Sequence, residues 1–343
     1  MCSPQRSLLI CLLLLICFCA NVGHARVRRP NHKHYHRNPE DVPTACVIII
    51  TRNEWPLIRP SVLHHGDLVG FENVHVIDNS DDPIVIDFLE KAASTYDISV
   101  TFSSTGLGNL GDEITTAMLS RRHLCDFFFK LDTDEFLAVH NNATNTALVD
   151  KITFQKSLKK LPVDGQKYEI SHRVEVMVQK TCEDPTLAIT FYPLDRSGHM
   201  GKFFFLSTSL LMIDLGAHKG RIDPALNQTY AHATDIMLLH FHNKCYDTYI
   251  RNMKEALASQ GIFSLSNNSD EIKAALEQYK DKFLISCSMM NCHKMVDLYS
   301  YLNDPVGHSN RYKELSINPM EGVMTITGLR KKVLALSSPE FMP

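Results

Sequence analysis

At 343 residues and 44% hydrophobic content, the chain is long enough to bury a large core, which excludes a disordered tether or a peptide-sized module. Its 35 Lys and Arg nearly balance 38 Asp and Glu, for a formal charge of -3, so no broad field selects nucleic acid or a strongly anionic surface. Selectivity must come from a local site.

In chain order, the first feature is a targeting segment. Arg6 precedes an apolar run from Leu8 to Ala20, and Gly23 and Ala25 follow as a candidate cleavage site. Residues 1–25 therefore read as a signal peptide or a short signal anchor; about 20 apolar residues span an ordinary bilayer, and length alone does not choose. Arg26, Arg28, Arg29 and Lys33, beyond the run, count mildly against a lumenal C-terminus. Sequons at Asn142, Asn227 and Asn267 fit one. The expected location is the secretory pathway: the lumen of the Golgi or endoplasmic reticulum as a type II anchored protein, or outside the cell. Membrane contact is expected only through that N-terminal anchor. Beyond the leader, Cys46, Cys125, Cys182, Cys245, Cys287 and Cys292 are an even set. They allow three disulfides in an oxidising compartment, with Cys287 and Cys292 the easiest local pair, or buried free thiols.

Residues 26–43 are basic, carry His and Pro, and lack apolar periodicity, so they read as a stem. From residue 44 to 343 the pattern is one α/β domain, whose first half is a doubly wound, mostly parallel sheet. Strands are expected at Cys46 to Ile50, Val74 to Ile77, Ile98 to Phe102 and Phe127 to Leu131. Helices are expected at Pro56 to His64, at Pro83 to Ser94 with Ile84, Phe88 and Leu89 inward, and at Asp112 to His123 with Ile114, Ala117 and Met118 inward. Beyond Pro162 the runs Tyr168 to Val178, Phe203 to Leu206, Leu210 to Leu215 and Met237 to Phe241 suggest a mixed C-terminal extension. Helices from Tyr246 to Ala258 and Glu271 to Phe283 close the domain.

A parallel sheet presents ligands at the carboxyl ends of its strands. The fourth strand runs Phe127-Phe128-Phe129-Lys130-Leu131 into Asp132-Thr133-Asp134-Glu135-Phe136, which puts a pair of aspartates at such an end. Hard carboxylate oxygens suit Mn or Mg, an ion that also takes substrate phosphates and neutralises a departing diphosphate. Asp-x-Asp alone is a weak signal; its placement after a buried strand strengthens it. Thr51, Arg52, Asn53 and Glu54 follow the first strand, and Asp78-Asn79-Ser80-Asp81-Asp82 follows the second. Each cluster alone is ordinary turn chemistry, but successive strand ends point together to nucleotide binding.

Val-Ile-Ile-Ile-Thr-Arg-Asn-Glu, Val-Ile-Asp-Asn-Ser-Asp and Leu-Asp-Thr-Asp-Glu-Phe together resemble the GT-A fold of family 2 glycosyltransferases, most of all their family 92-type relatives with Asp-x-Asp-Glu-Phe. His240-Phe241 is similar to a His-Tyr element of that group. The resemblance covers roughly Ala45 to Ala258 by motif order. It implies a GT-A-like catalytic domain that transfers a sugar from a UDP- or GDP-sugar to a glycan or glycoconjugate acceptor with inversion, with nucleic acid not a partner. Asp78 would lie near the base, Asp132 near ribose and metal, and Asp134 on the metal; on the same resemblance His240 completes the metal sphere, the alternative being a satisfied structural histidine. His218 and Lys202 could contact phosphates or acceptor, although loop contacts explain both. Inversion requires a carboxylate base. Glu183, Asp184, Asp214, Asp223 and Asp235 are available, and position beyond the metal motif favours Asp223 or Asp235.

Two other readings compete. Gly106-Leu107-Gly108-Asn109-Leu110-Gly111 matches a dinucleotide-binding loop, with Asp132 at a plausible distance, as in an NAD-dependent oxidoreductase. A non-catalytic lumenal binding protein with the same fold would keep the motifs without turnover.

Overall fold

The computed structural model describes residues 41–105, 110–161, 166–170, 172–176, 191–193, 201–224, 230–231, 235–241, 245–286, 289–314 and 325–327. The leader, nearly all of the stem and residues 106–109 of the glycine run lie outside them. No helix among the described residues is long and apolar enough to cross a membrane.

The first half alternates strictly: β1 (Ala45–Thr51), α1 (Ile58–Val69), β2 (Val74–Asp78), α2 (Pro83–Tyr96), β3 (Ser99–Phe102), α3 (Leu110–Ser120) and β4 (Phe127–Asp132). There follow β5 (Glu135–Asn141), β6 (Thr146–Leu148), α4 (Lys151–Lys159), β7 (Lys167–Glu169), β8 (His172–Val176), β9 (Phe191–Pro193), β10 (Phe203–Leu206), β11 (Leu210–Ile213), β12 (Gly220–Ile222), β13 (Tyr230–Ala231) and β14 (Ile236–His240). Four helices, α5 (Tyr246–Ala258), α6 (Ser269–Ser286), α7 (Met289–Asn303) and α8 (Pro305–Glu314), precede a last strand, β15 (Thr325–Thr327).

The central sheet has the order β13-β7-β10-β4-β1-β2-β3. Its β4-β1-β2-β3 portion is parallel, and β10 adds antiparallel to β4. The fold is therefore α/β with a mostly parallel central sheet and a mixed extension, as the alternation predicts. Apolar side chains on both faces explain why the strands read as unbroken hydrophobic runs. Val47, Ile49, Phe129 and Leu131 join Val62 of α1 and Leu89 of α2 in one core. Cys46, Ile48 and Phe128 join Ile114 and Met118 of α3 in the other. Phe204 of β10 stacks on Phe129 at 4.3 Å, which ties the extension to the parallel half. A disulfide between Cys46 and Cys125, Cα atoms 5.7 Å apart, staples the amino ends of β1 and β4.

A second sheet, β15-β6-β5-β14-β8-β9, begins where the first ends. The chain leaves β4 at Asp132 and enters β5 at Glu135, so the two residues between them bridge the sheets.

Several expectations are corrected. The run from Tyr168 onward does not form one strand: it divides between β7 in the central sheet and β8 in the second. β5 is a strand that local sequence does not signal, because its partner β14 lies about a hundred residues away and pairing at that distance leaves no local signature. α1 continues past His64 to Val69 and stops at Gly70, whose φ of 101° suits glycine. In α2 it is Val85, Leu89 and Ala92 that are buried, while Ile84 is 53% exposed, so the helix turns a face about one residue later toward the sheet. Cys287 lies outside the described residues, so the Cys287 to Cys292 pairing does too.

Candidate functional site

Three parallel strands end in polar residues at the same edge of the sheet. Thr51 of β1 stands in register with Asp78 of β2, and Ile50 with Asp132 of β4. Strand order alone therefore gathers these positions at the carboxyl edge, where α/β sheets bind ligands.

The connection after β4 is locked from all sides. The Thr133 hydroxyl donates to the Ile50 carbonyl at 2.9 Å, the Asp132 amide donates to Glu135 Oε2 at 2.8 Å, and the Phe241 amide donates to the Asp134 carbonyl at 2.7 Å. Phe136, fully buried against Phe241, anchors the turn in the second sheet. Each position of Asp132-Thr133-Asp134-Glu135-Phe136 thus has a physical reason.

β14 pairs antiparallel with β5 and sets His240 opposite Glu135. His240 Nε2 comes within 3.6 Å of Asp134 Oδ1. That spacing is compatible with two ligands of one divalent ion at about 2.1 Å each. Asp134 and His240 therefore fit such an ion. Asp132 differs. Lys130 Nζ donates to Asp132 Oδ1 at 2.5 Å, and Lys202 Nζ lies 3.6 Å from Asp132 Oδ2 while bonding Glu135 at 2.5 Å. The lysine side chains are 0% and 2% exposed, whereas that of Asp132 is 47% exposed. Burial alone would raise the Asp132 carboxyl, but the Lys130 and Lys202 ammoniums outweigh it and the repulsion of Asp134, and hold it at about 2. Among the described residues no group of three or more His, Cys, Asp and Glu side chains is arranged to hold an ion.

At the other strand ends, Asn53, at φ 54°, spends its side chain on the neighbouring loop: Oδ1 accepts from the amides of Asp81 and Asp82, and Nδ2 donates to Asp81. Its amide donates to Ser80. Asn53 therefore shapes the loop. Thr51 Oγ1, Arg52 Nε and Asp78 Oδ2 are buried atoms without a hydrogen-bond partner. Native structures rarely leave such groups unpaired. Burial raises the Asp78 carboxyl above its ordinary value against hydrogen bonds from Ser80. Glu54 and Arg52 face Glu255 of α5, whose carboxyl is raised first by burial and then by Glu54 and Asp81, against Arg251 and Arg52.

The two candidate bases are not brought here. The Asp223 amide bonds the Ser209 carbonyl, and the adjoining Ser207 amide bonds the Asp126 carbonyl, at the amino end of β4. Six strand residues, about 20 Å, separate that end from Asp132. Asp235 precedes β14, at the end opposite His240, and pairs with Lys160 on the surface at 2.8 Å. Distance along the chain does not decide the matter, because β12 ends, and β14 begins, on the side away from Asp132. Asp214 caps a turn by accepting the His218 and Lys219 amides, and His218 Nδ1 meets the Gly201 carbonyl. Glu183 and Asp184 lie outside the described residues. Lys130 and Glu135 join the candidate site through Asp132, and the one sequence signal for them is a lysine inside an otherwise apolar strand.

No family model matches the chain, and no curated protein matches it. Among solved structures, residues 1–349 of S. aureus TarS in complex with UDP-GlcNAc match at TM-score 0.36 and 11% identity, over 80% of this chain and 90% of that one. A longer S. aureus TarS chain matches at 0.32 and 10%, over 79% of this chain and 50% of that one. A cytidylyltransferase from Leptospira borgpetersenii serovar Hardjo-bovis matches at 0.27 and 12%, over 48% of this chain and 61% of that one. These likenesses are remote.

Proposed function

We propose that the chain is a nucleotide-sugar-dependent glycosyltransferase. The observation that supports this reading is the row of orphaned polar atoms, Thr51 Oγ1, Arg52 Nε and Asp78 Oδ2, beside the Asp134 and His240 pair. Buried polar atoms without partners mark places where a ligand completes the hydrogen bonding. A carboxylate acceptor, a hydroxyl and a guanidinium donor along one sheet edge match the mixed donors and acceptors of a nucleoside. The half-exposed Asp132 carboxylate suits ribose hydroxyls.

Beyond the nucleoside, the diphosphate falls toward Asp134 and His240, which would hold Mn or Mg; a bound ion would neutralise charge on the leaving diphosphate. Asp78 and Asp132 orient the donor, and the buried turn around Thr133 holds them still. Transfer with inversion needs a carboxylate on the acceptor side. By backbone register Glu175 of β8 stands beside His240, and it replaces Asp223 and Asp235 as our candidate base. The acceptor is a glycan or glycoconjugate. A lumenal or secreted location suits the Cys46–Cys125 disulfide, since such bridges persist in oxidising compartments.

Isothermal titration with UDP, GDP and NAD, each with and without Mn, tests this reading. Binding of a nucleoside diphosphate strengthened by Mn is expected, and loss of it in Asp134→Ala without unfolding. A response to NAD alone would favour an oxidoreductase, and a response to none a structural protein.

A further inference from the structure

The Asn-x-Ser/Thr triplets at Asn142, Asn227 and Asn267 share one motif, and a glycan reaches such an asparagine only where its carboxamide nitrogen stands open on the surface. Asn227 lies outside the described residues, but the structure separates the other two. Asn142 opens the tip, residues 142–145, that joins β5 to β6 beyond their last register pair, Asn141 with Thr146. Every residue of the tip is exposed. The Thr144 hydroxyl, two positions after Asn142 as the triplet requires, pairs with the Thr146 hydroxyl at 2.7 Å on the surface.

The neighbours of Asn142 hold the tip in shape without it. Asn141 Oδ1 accepts from the Ala143 amide at 3.1 Å, an Asx turn. Asn145 adopts φ 48°, a conformation that asparagine tolerates, and its Oδ1 meets His140 Nε2 at 3.1 Å. Asn142 itself makes no side-chain hydrogen bond among the described residues, so its Nδ2 faces solvent uncommitted. Asn267 is engaged. Its Oδ1 accepts from the Ser264 amide at 2.6 Å, and its Nδ2 donates to Glu271 Oε2 at 3.0 Å. Asn268 Oδ1 accepts from the Asp270 and Glu271 amides, and Glu271 Oε2 accepts from the Asn268 amide, which makes a capping box at the start of α6. Ser269, the hydroxyl residue of that triplet, is the first residue of the helix. Contacts this local in sequence form early in folding. A sugar on Asn267 Nδ2 would stand against Glu271 and the first turn of α6.

We propose that Asn142 is an N-glycosylation site of this chain and that Asn267, in the same motif, is a helix-capping asparagine that stays unmodified. In the transfer, Asn142 Nδ2 bonds to C1 of an oligosaccharide carried on a polyprenyl diphosphate; the C1–O bond breaks, the diphosphate leaves, and Nδ2 gives up one of its two hydrogens as a proton. Donor and transferring enzyme belong to the lumen, so the inference rests on the secretory location and not on the chain's own sugar-transfer reading. β5 runs from Glu135, beside the candidate site, to Asn141, a span of 7 residues and about 24 Å. The glycan is therefore carried at the end of the second sheet away from Asp134 and His240, and leaves the carboxyl edge of the central sheet uncovered.

The test is expression of the full chain in a eukaryotic secretory host, with enzymatic release of N-glycans read as a mass shift and the modified asparagine located by mass spectrometry of the deamidated peptide. Asn142→Gln and, separately, Thr144→Ala are expected to lose the mass of one glycan. Thr144→Ser, which restores the hydroxyl, should keep it, and Asn267→Gln should leave it unchanged. UDP titration of Asn142→Gln should stay within twofold of the wild type, since the tip lies far from the candidate site.

A glycan found on Asn267, or an Asn142 peptide that carries none, would overturn the inference. If the wild type carries no glycan while Cys46 and Cys125 remain bridged, the inference falls and the secretory location stands. If those two thiols are free as well, both fall.

Discussion

Asp78 sits buried at a cost to stability. Its side chain is buried with one oxygen unpaired, and burial raises its carboxyl above the ordinary 3.8. A raised folded value means that the folded state holds its proton longer than the unfolded chain. Stability is therefore lost as pH rises from 3.8 through the raised value, and the loss persists at neutral pH. Asp78→Asn should accordingly raise the melting temperature of the ligand-free chain at pH 7 while weakening nucleotide binding by about tenfold or more, roughly 1.4 kcal/mol or more. Differential scanning fluorimetry beside titration reads both, and a drop in melting temperature would contradict the account. Asp132 runs the other way. Held at about 2 by the Lys130 and Lys202 ammoniums, it contributes stability that is complete above its unfolded value of 3.8 and lost as pH falls through about 2. Acid unfolding of Asp132→Asn should be less steep than that of the wild type between pH 4 and 2. Of these residues, Asp78, Asp132 and Asp134 were legible in sequence because they follow apolar strands. Lys130 was visible but unexplained, since its meaning depends on a carboxylate two positions along and on Lys202 from another strand.

Elements are positioned by contacts that periodicity does not register. His64 and His65 are fully buried in α1 and serve one residue of β5: His64 Nε2 meets the Leu137 carbonyl at 2.7 Å, and His65 Nε2 accepts from the Leu137 amide at 3.3 Å. His65 Nδ1 meets the Ser61 carbonyl, which fixes its proton on Nδ1. The helix thus stands in for a neighbouring strand at that point of β5. His65→Ala leaves the Leu137 amide unsatisfied and should cost about 1–3 kcal/mol in urea unfolding. Apolar spacing does not carry α1 past His64, and the burial of the two histidines follows only once β5 is placed. The Cys46–Cys125 bridge closes a loop spanning 79 positions, and its removal by paired Ala substitution should cost about 2–4 kcal/mol. An unchanged urea midpoint would mean that the bridge constrains little in the unfolded chain.

At the scale of the molecule, two sheets meet at a two-residue hinge of sequence, Thr133 and Asp134, and the site lies at that junction. The central sheet brings Thr51, Asp78 and Asp132 to one edge, and the second sheet brings His240 to Asp134, with Glu175 in backbone register beside His240. Glu175→Gln is expected to reduce turnover by about a hundredfold or more with donor binding kept, as for loss of a general base. Retained turnover would return the search to the carboxylates outside the described residues.

The parallel half was determined by sequence alone. Strands buried on both faces must be continuously apolar, and parallel connections must be helical, so composition and order suffice to place the Asp78 and Asp132 strand ends on one edge. Tertiary structure alone decided the second sheet, the burial of Lys130 and Lys202 against Asp132, the arrival of His240 beside Asp134, and the removal of Asp223 and Asp235 to the far ends. Each depends on which strand pairs with which across long stretches of chain. Such pairing is settled by the free energy of the assembled core, not by any local run of residues.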